Sequence, residues 1–168
     1  DGSRKELTDR RIIDGIGGRV EYDNNGKVIG LEMENSGLVE LPREISRLKS
    51  LVVLSLSFNE LVSLPSWIGR LKDLEELNLV GNRLRWLPEE MSRLKKLKIL
   101  RLGDNELSSL GNWISGLCEL EELDLHENML SELPGGVNEL EKLSELNLWG
   151  TGLSMSDVPE TLRGVTSI

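Results

Sequence analysis

Apolar residues recur along most of this chain with a period of 23 residues. Four copies of one pattern begin at residues 51, 74, 97 and 120, with apolar side chains at positions 1, 4, 6, 11, 14, 18 and 21 of each copy. Position 9 is asparagine in all four copies: Asn59, Asn82, Asn105 and Asn128. A repeat of this length predicts a solenoid, in which each copy is one structural unit that packs against its neighbours.

Two less regular copies flank these four, beginning at residues 28 and 143. Position 9 is Ser36 in the first copy and Thr151 in the sixth. The sixth copy gains two residues before its pattern resumes, which places Ile168 at position 1 of a seventh copy with no capping helix after it. Atypical end copies are expected, because the end of a solenoid faces water.

The residues of a single copy predict its local structure. Alternation around positions 4 and 6 predicts a short strand with one buried face. The asparagine follows where the chain turns away, and its amide can bond the backbone there, which predicts an asparagine ladder. All five prolines fall at one place in the pattern, where a helical turn can begin. Gly111 takes that place in the fourth copy, so the segment after it should differ.

These residues resemble the leucine-rich repeat family, in its LxxLxLxxNxLxxLPxxIxxLxx variety, over residues 28–168. The resemblance implies an α/β fold, a right-handed, horseshoe-shaped solenoid. Six copies would each give one strand to a parallel sheet on the concave face and a short helical or irregular segment to the convex face. The resemblance also implies a module that binds proteins and has no catalytic activity.

Residues 1–27 are predicted to form an N-terminal cap on a repeat domain that covers residues 28–168. Ser3 and Glu6 have the spacing of a capping box, which predicts a helix over residues 4–14. Asn25 and Gly26 between two apolar runs predict a hairpin over residues 18–31. The second arm of the hairpin would be the first solenoid strand, so that the first arm covers its edge.

Charge and cysteine content narrow the choice of partner and compartment. The formal net charge of −9 argues against nucleic acid or an anionic membrane surface as the main partner. The sequence has no run of 18 apolar residues, so no membrane insertion is expected. A single cysteine, Cys118, and no visible signal peptide favour a cytoplasmic protein, although a secreted bacterial protein would look the same.

Few residues could support catalysis or hold a cofactor. His126 is the only histidine, and Asp124, two residues earlier, should point to the same face. A catalytic triad needs a serine at the imidazole, whereas the predicted lateral neighbours of His126 are Gly103 and Trp149. One histidine and one cysteine are too few ligands for zinc. We therefore expect no catalytic residue, no metal site and no cofactor.

The outward positions of the predicted strands provide a candidate partner-binding patch on the concave face. Its members occupy positions 5 and 7 of neighbouring copies: Val80, Arg101, Asp124, His126, Asn147 and Trp149. Because the core makes no demand on these positions, their composition reflects either solubility or a partner. Tryptophan and arginine are typical of interface hot spots. The alternative for Trp149 is that it packs under the C-terminal segment.

A second candidate surface lies on the predicted convex side, at positions 20 and 22. In the first three copies these positions are basic: Arg47, Lys49, Arg70, Lys72, Arg93 and Lys95. In the next two copies they become Gly116, Cys118, Glu139 and Glu141. This change of sign indicates either a solvated surface copied by duplication or a further site.

Two functions fit these features. The first is a protein-protein interaction module that binds an unidentified protein mainly through its concave face. It would be a monomer, or would self-associate weakly through an open C-terminal end. The second is the substrate-targeting or regulatory arm of a larger signalling enzyme, linked to a GTPase, kinase or ubiquitin ligase, that was cut after the last repeat. The lack of catalytic residues nearly excludes a self-standing hydrolase.

Overall fold

The computed structural model describes residues 17–168, so the helix predicted over residues 4–14 lies outside the described residues. The described chain forms one sheet in which every strand pairs with the next strand along the sequence. The eight strands are β1 (Arg19–Tyr22), β2 (Val28–Glu32), β3 (Val53–Ser55), β4 (Glu76–Asn78), β5 (Ile99–Arg101), β6 (Glu122–Asp124), β7 (Glu145–Asn147) and β8 (Thr166–Ser167).

Strands β2 to β7 are parallel, and their register equals one repeat. Leu54 pairs with Leu77, Leu77 with Leu100, and Leu100 with Leu123, so that identical repeat positions lie side by side. The prediction of six parallel strands, one for each copy, is confirmed.

The N-terminal hairpin is also present, with β1 antiparallel to β2. Asp23 holds its turn, because the carboxylate Oδ1 accepts hydrogen bonds from the backbone N–H groups of Asn25 and Lys27, both at 2.9 Å. The pKa of the Asp23 carboxyl is lowered, mainly by the hydrogen bond from the backbone N–H of Lys27. Gly26 has a φ of 73°, which glycine adopts at little cost.

Each copy continues from its strand into a short 3₁₀ helix, and most of these helices pack against those of the neighbouring copies. The six helices are η1 (Arg43–Arg47), η2 (Ser66–Arg70), η3 (Glu89–Arg93), η4 (Asn112–Gly116), η5 (Gly135–Glu139) and η6 (Glu160–Val165). A proline directly precedes every helix except η4. The predicted short convex segments are therefore confirmed as single 3₁₀ turns.

The expectation that Gly111 changes the convex segment of the fourth copy is wrong. Helix η4 has the same length as η2, and Gly111 has φ −75° and ψ 160°, close to the −73° and 147° of Pro65. The glycine instead makes room for a side chain. A Cβ atom at residue 111 would lie 2.6 Å from Cδ1 of Trp113.

The last copy returns to the sheet earlier than the sequence pattern predicts. Thr166 of β8 pairs with Leu146 of β7, which is 20 residues earlier instead of one repeat. Helix η6 runs directly into β8, whereas several residues separate the other helices from the next strand. The placement of Ile168 at position 1 of a seventh copy is therefore wrong.

The core lies between the sheet and the row of helices. Leu51, Leu54 and Leu56 enter it from the strand side, and Ile68 and Leu71 from the helix side, all without solvent exposure. The equivalent residues of the next three copies are buried in the same way. Each buried side chain of this size stabilises the fold by about 1.5–3 kcal/mol.

Asn105 shows how the asparagine ladder works. Its Nδ2 donates to the backbone carbonyls of Leu102 and Gly103 in its own copy, at 2.9 and 3.1 Å, and to that of Leu79 in the preceding copy, at 3.0 Å. Its Oδ1 accepts from the backbone N–H of Leu84 in the preceding copy, at 3.0 Å. Bonds of the same pattern are made by Asn59, Asn82 and Asn128. The predicted ladder is buried and joins each copy to the one before it.

Thr151 replaces the asparagine in the sixth copy and makes a smaller set of bonds. Its hydroxyl donates to the carbonyl of Leu148 at 2.7 Å and accepts from the N–H of Leu153 at 3.3 Å, both within its own copy. Within residues 17–168 it makes no side-chain bond to the fifth copy. The ladder therefore ends between the fifth and sixth copies.

Replacing Asn105 by alanine tests the ladder. We expect Asn105→Ala to lower the free energy of unfolding by about 1–3 kcal/mol, because it leaves buried backbone groups in two copies unpaired. Chemical denaturation measures the change. Thr151→Ala is the matched comparison and should lower the free energy of unfolding by less, since only bonds within one copy are lost. If Asn105→Ala lowered the free energy of unfolding by less than about 0.3 kcal/mol, the ladder would contribute little to stability.

Candidate functional site

The outward face of the sheet, which we call the concave face, consists of the outward side chains at positions 2, 3, 5, 7 and 8 of each copy. Position-5 residues are paired along the sheet, so that Arg101 lies between Asn78 and Asp124, and Asp124 lies beside Asn147. The structure thus places the predicted patch on neighbouring strands and the turns that follow them. Five of its six members are half-buried, and Trp149 is 57% exposed.

Arg101 is held by carboxylates of both neighbouring strands. Its Nη1 donates to Oε1 of Glu76 at 2.7 Å, and its Nε and Nη2 donate to the two carboxylate oxygens of Glu122 at 2.7 and 3.2 Å. The hydrogen bond to Glu122 is the main cause that raises the pKa of the guanidinium. The sequence analysis missed this network, in which the arginine joins three strands across the concave face.

His126 and Asp124 form a second polar pair on this face. Nδ1 of His126 lies 2.8 Å from Oδ1 and 3.0 Å from Oδ2 of Asp124. The imidazole covers Gly103, where a Cβ atom would lie 2.0 Å from the ring. Gly103 is therefore required for the present position of His126, and it is the lateral neighbour that the repeat pattern predicts.

Residues at position 5 also complete the backbone hydrogen bonding. The backbone N–H of Trp149 donates to Oδ1 of Asn147 at 3.2 Å, and the N–H of His126 donates to Oδ1 of Asp124 at the same distance. Asn78 accepts from Val80 in the same way. Asn147 and Asp124 therefore have a structural role, because each bonds the backbone at the end of its own strand.

At position 8 of every copy the backbone is left-handed, and there the chain leaves the sheet. Two copies have glycine there, Gly81 and Gly150, and four have larger residues: Asn35, Phe58, Asp104 and Glu127. A left-handed conformation is unusual for a bulky residue and indicates strain that the surrounding structure must maintain.

Phe58 is the functional candidate that the sequence analysis missed. It has a φ of 55° and is 59% exposed. Its ring lies over Gly81, where a Cβ atom would be 2.6 Å from Cδ1 of Phe58. The signal in the sequence was a single aromatic residue in a column that otherwise contains asparagine, glycine, aspartate or glutamate.

Charge is distributed unevenly over this face. Lys98 pairs with Glu75 at 2.7 Å, and Arg101 pairs with two glutamates. Towards β7, four carboxylates have no ion-pair partner within residues 17–168: Asp104, Glu121, Glu127 and Glu145. The outward face is therefore more acidic towards β7.

The described residues contain no group of three His, Cys, Asp or Glu side chains that could hold a metal ion. None of the helices in residues 17–168 has the length and hydropathy of a membrane span. What the concave face offers is exposed aromatic surface beside fixed polar and charged groups, on a rigid repeat scaffold. These features define a solenoid repeat protein with an open contact surface.

Comparisons with known proteins identify the family of this solenoid. A family model described as leucine rich repeat matches residues 31–84, and no curated protein sequence matches the chain. A leucine-rich repeat protein of Leptospira interrogans has a similar structure, with a TM-score of 0.66 and 42% identity over 67% of this chain. The ectodomain of the receptor kinase SOBIR1 from Arabidopsis thaliana gives a TM-score of 0.69 and 26% identity over 88%. The chain belongs to the leucine-rich repeat family.

The matched proteins differ in length from this chain. The chain covers 93% of the SOBIR1 ectodomain but only 29% of the Leptospira protein. A plant peptide hormone receptor, RGFR1 in complex with RGF2, is similar over 65% of this chain and 18% of the receptor, with a TM-score of 0.58 and 25% identity.

The strain at Phe58 gives a testable prediction. We expect Phe58→Asn to raise the free energy of unfolding by up to about 1 kcal/mol, because asparagine adopts the left-handed backbone more readily. Denaturant unfolding measures the change. The control is Val62→Asn, which removes another exposed apolar side chain at ordinary φ and should change stability little. A clear loss of stability in Phe58→Asn would mean that the ring stabilises the fold.

Proposed function

We propose that this chain is a non-catalytic protein-protein interaction module that binds a protein partner through its concave face. The observation that carries the proposal is the exposure of aromatic side chains on a face that the core does not use. Trp149 and Phe58 leave 57% and 59% of their surface in solvent. Exposed aromatic residues with a polar surround are typical of interface anchors.

The members of the predicted patch have different roles in this proposal. Trp149 and His126 present ring surface to the partner, with Val80 as a smaller apolar contact. Asp124 and Asn147 hold the backbone and the imidazole in place. Arg101 is bound to Glu76 and Glu122, which compensate its charge, so it cannot reach far towards a partner.

The dimensions of the face suit a polypeptide segment. Neighbouring strands lie about 4.8 Å apart, so that Phe58 after β3 and Trp149 after β7 are separated by roughly 19 Å. A helix of a few turns or an extended segment of about six residues spans this distance. The carboxylates towards β7 that are unpaired within the described residues favour a segment that carries lysine or arginine.

Similarity to known complexes supports a polypeptide partner. RGFR1, which is a peptide hormone receptor in complex with RGF2, shares the fold of this chain.

A second candidate is that the chain is the recognition arm of a larger signalling protein. The specific observation is the match to the ectodomain of a receptor kinase, of which this chain covers 93%. In that arrangement the concave face would bind the signal or substrate, and the enzymatic domain would lie elsewhere in the protein.

Loss of the Trp149 side chain tests the binding face. With the partner obtained by affinity capture and then purified, we expect Trp149→Ala to weaken the complex by about 2 kcal/mol. Isothermal titration calorimetry measures the affinity. The fold should remain intact, because the side chain is mostly exposed.

The matched control is Trp86→Ala, which removes an equally exposed tryptophan, at 59%, from the rim of another copy. It should leave the affinity unchanged. If Trp86→Ala abolished binding and Trp149→Ala did not, the concave face would not be the binding site.

A further inference from the structure

The convex flank has a charge pattern that the proposed function does not use. Positions 20 and 22, which we call the flank columns, contain only exposed cations in the first three copies: Arg47, Lys49, Arg70, Lys72, Arg93 and Lys95. In the fifth copy the same columns contain exposed Glu139 and Glu141. The fourth copy lies between them, with Gly116 and Cys118 in place of the basic and acidic residues.

None of these six cations forms an ion pair with a carboxylate of residues 17–168. Position 23, immediately beside them, behaves differently. Lys96 pairs with Asp73 at 2.7 Å, and Lys142 pairs with Glu119 at 2.6 Å. The chain therefore neutralises one column within the molecule and leaves the neighbouring columns uncompensated.

Two cations of the flank columns, Lys49 and Arg70, are close enough to affect one another. Burial first, and then the positive charge of Arg70, lower the pKa of the Lys49 ammonium. Such an arrangement of like charges in a protein with a net charge of −9 is relieved when an anionic surface approaches.

We propose that the anionic surface is the acidic end of the same flank on a second copy of this chain. Two copies would meet face to face in antiparallel order, with a two-fold axis along helix η4. This interface is separate from the concave face, and it differs from self-association through the C-terminal end.

Symmetry determines which residues meet. A two-fold axis in the contact plane reverses the order of the repeats in the second molecule. Each repeat position of one molecule then lies opposite the same repeat position of the other. The third copy of one molecule then faces the fifth copy of the other. Arg93 and Lys95 lie opposite Glu139 and Glu141, twice in each dimer, and Gly116 and Cys118 of the two fourth copies face each other.

An apolar element lies on the same axis. Trp113 of η4 is half-buried and borders a groove of about 640 Å³ between η3 and η4. Trp86, Arg93, Glu89 and Glu90 also line this groove. Trp113 of each molecule would approach its equivalent. The contact remains weak, because exposed ion pairs contribute little and the two molecules repel each other overall.

Charge reversal in pairs tests the interface. We use the full chain and sedimentation equilibrium at low and high salt. The basic-side variant is Arg93→Glu with Lys95→Glu, and the acidic-side variant is Glu139→Lys with Glu141→Lys. We expect the unmodified chain to form a dimer whose association constant falls at least tenfold at high salt.

For each charge-reversed variant alone, the association constant of the dimer should fall at least tenfold, because like charges then oppose each other. An equimolar mixture of the two variants should recover it, since every opposed pair is again attractive. Thermal melts followed by circular dichroism verify that both variants are folded. If the basic-side variant loses binding to an acidic protein but the chain is monomeric throughout, the flank binds a different anionic partner and the dimer is refuted.

Cys118 provides a second measurement, because it lies on the proposed axis and is exposed. A short bis-maleimide should link two Cys118 thiols in the unmodified chain and fail to do so in the basic-side variant. The control combines Cys118→Ser with Ser131→Cys, which moves the exposed thiol out of the flank columns to position 12 of the fifth copy. Equal linking in the chain and in the control, or a dimer that survives charge reversal, would overturn the proposal.

Discussion

The hydrogen bonds of the buried asparagines are the constraint on which the rest of the structure depends. Where each strand ends, the backbone leaves the sheet and its carbonyl and N–H groups lose their ladder partners inside the protein. One asparagine side chain, as at Asn82, bonds groups of its own copy and of the copy before it. Buried backbone groups without partners are costly, so this interaction maintains both the turn and the alignment of adjacent copies.

Because the copies are aligned in register, side chains at the same repeat position of successive copies form a column across the surface. Because each position lies beside the same position of its neighbours, a residue is placed between two known side chains. Arg101 therefore meets Glu76 on one side and Glu122 on the other. The same alignment creates the flank columns, where duplicated cations accumulate without carboxylates between them.

The two proposed surfaces use different physical means. The concave face presents aromatic side chains held by a strained turn and by fixed polar pairs, which suits a specific contact. The flank presents uncompensated charge of both signs, which suits a weak and salt-dependent contact. Since the surfaces lie on different sides of the solenoid, one could be occupied while the other is in use.

Much of the fold was predictable, because the repeat itself encodes it. Leucines at three strand positions predicted the parallel strands, and Asn25 with Gly26 predicted the hairpin. Gly111 was misjudged, because an extended residue before a 3₁₀ turn does not have to be proline. The early return of the last copy was missed, since η6 leads directly into β8 and no residue pattern marks this.

What the sequence determined by itself was the period, the buried columns, the ladder and the set of outward residues, because each depends on local spacing that repeats. What only the tertiary structure decided was how outward residues combine. The binding of Arg101 between two glutamates, the position of His126 over Gly103 and the left-handed backbone of Phe58 each depend on contacts between neighbouring copies. Side-chain conformation and backbone φ follow from those contacts, which become visible only once the copies are stacked.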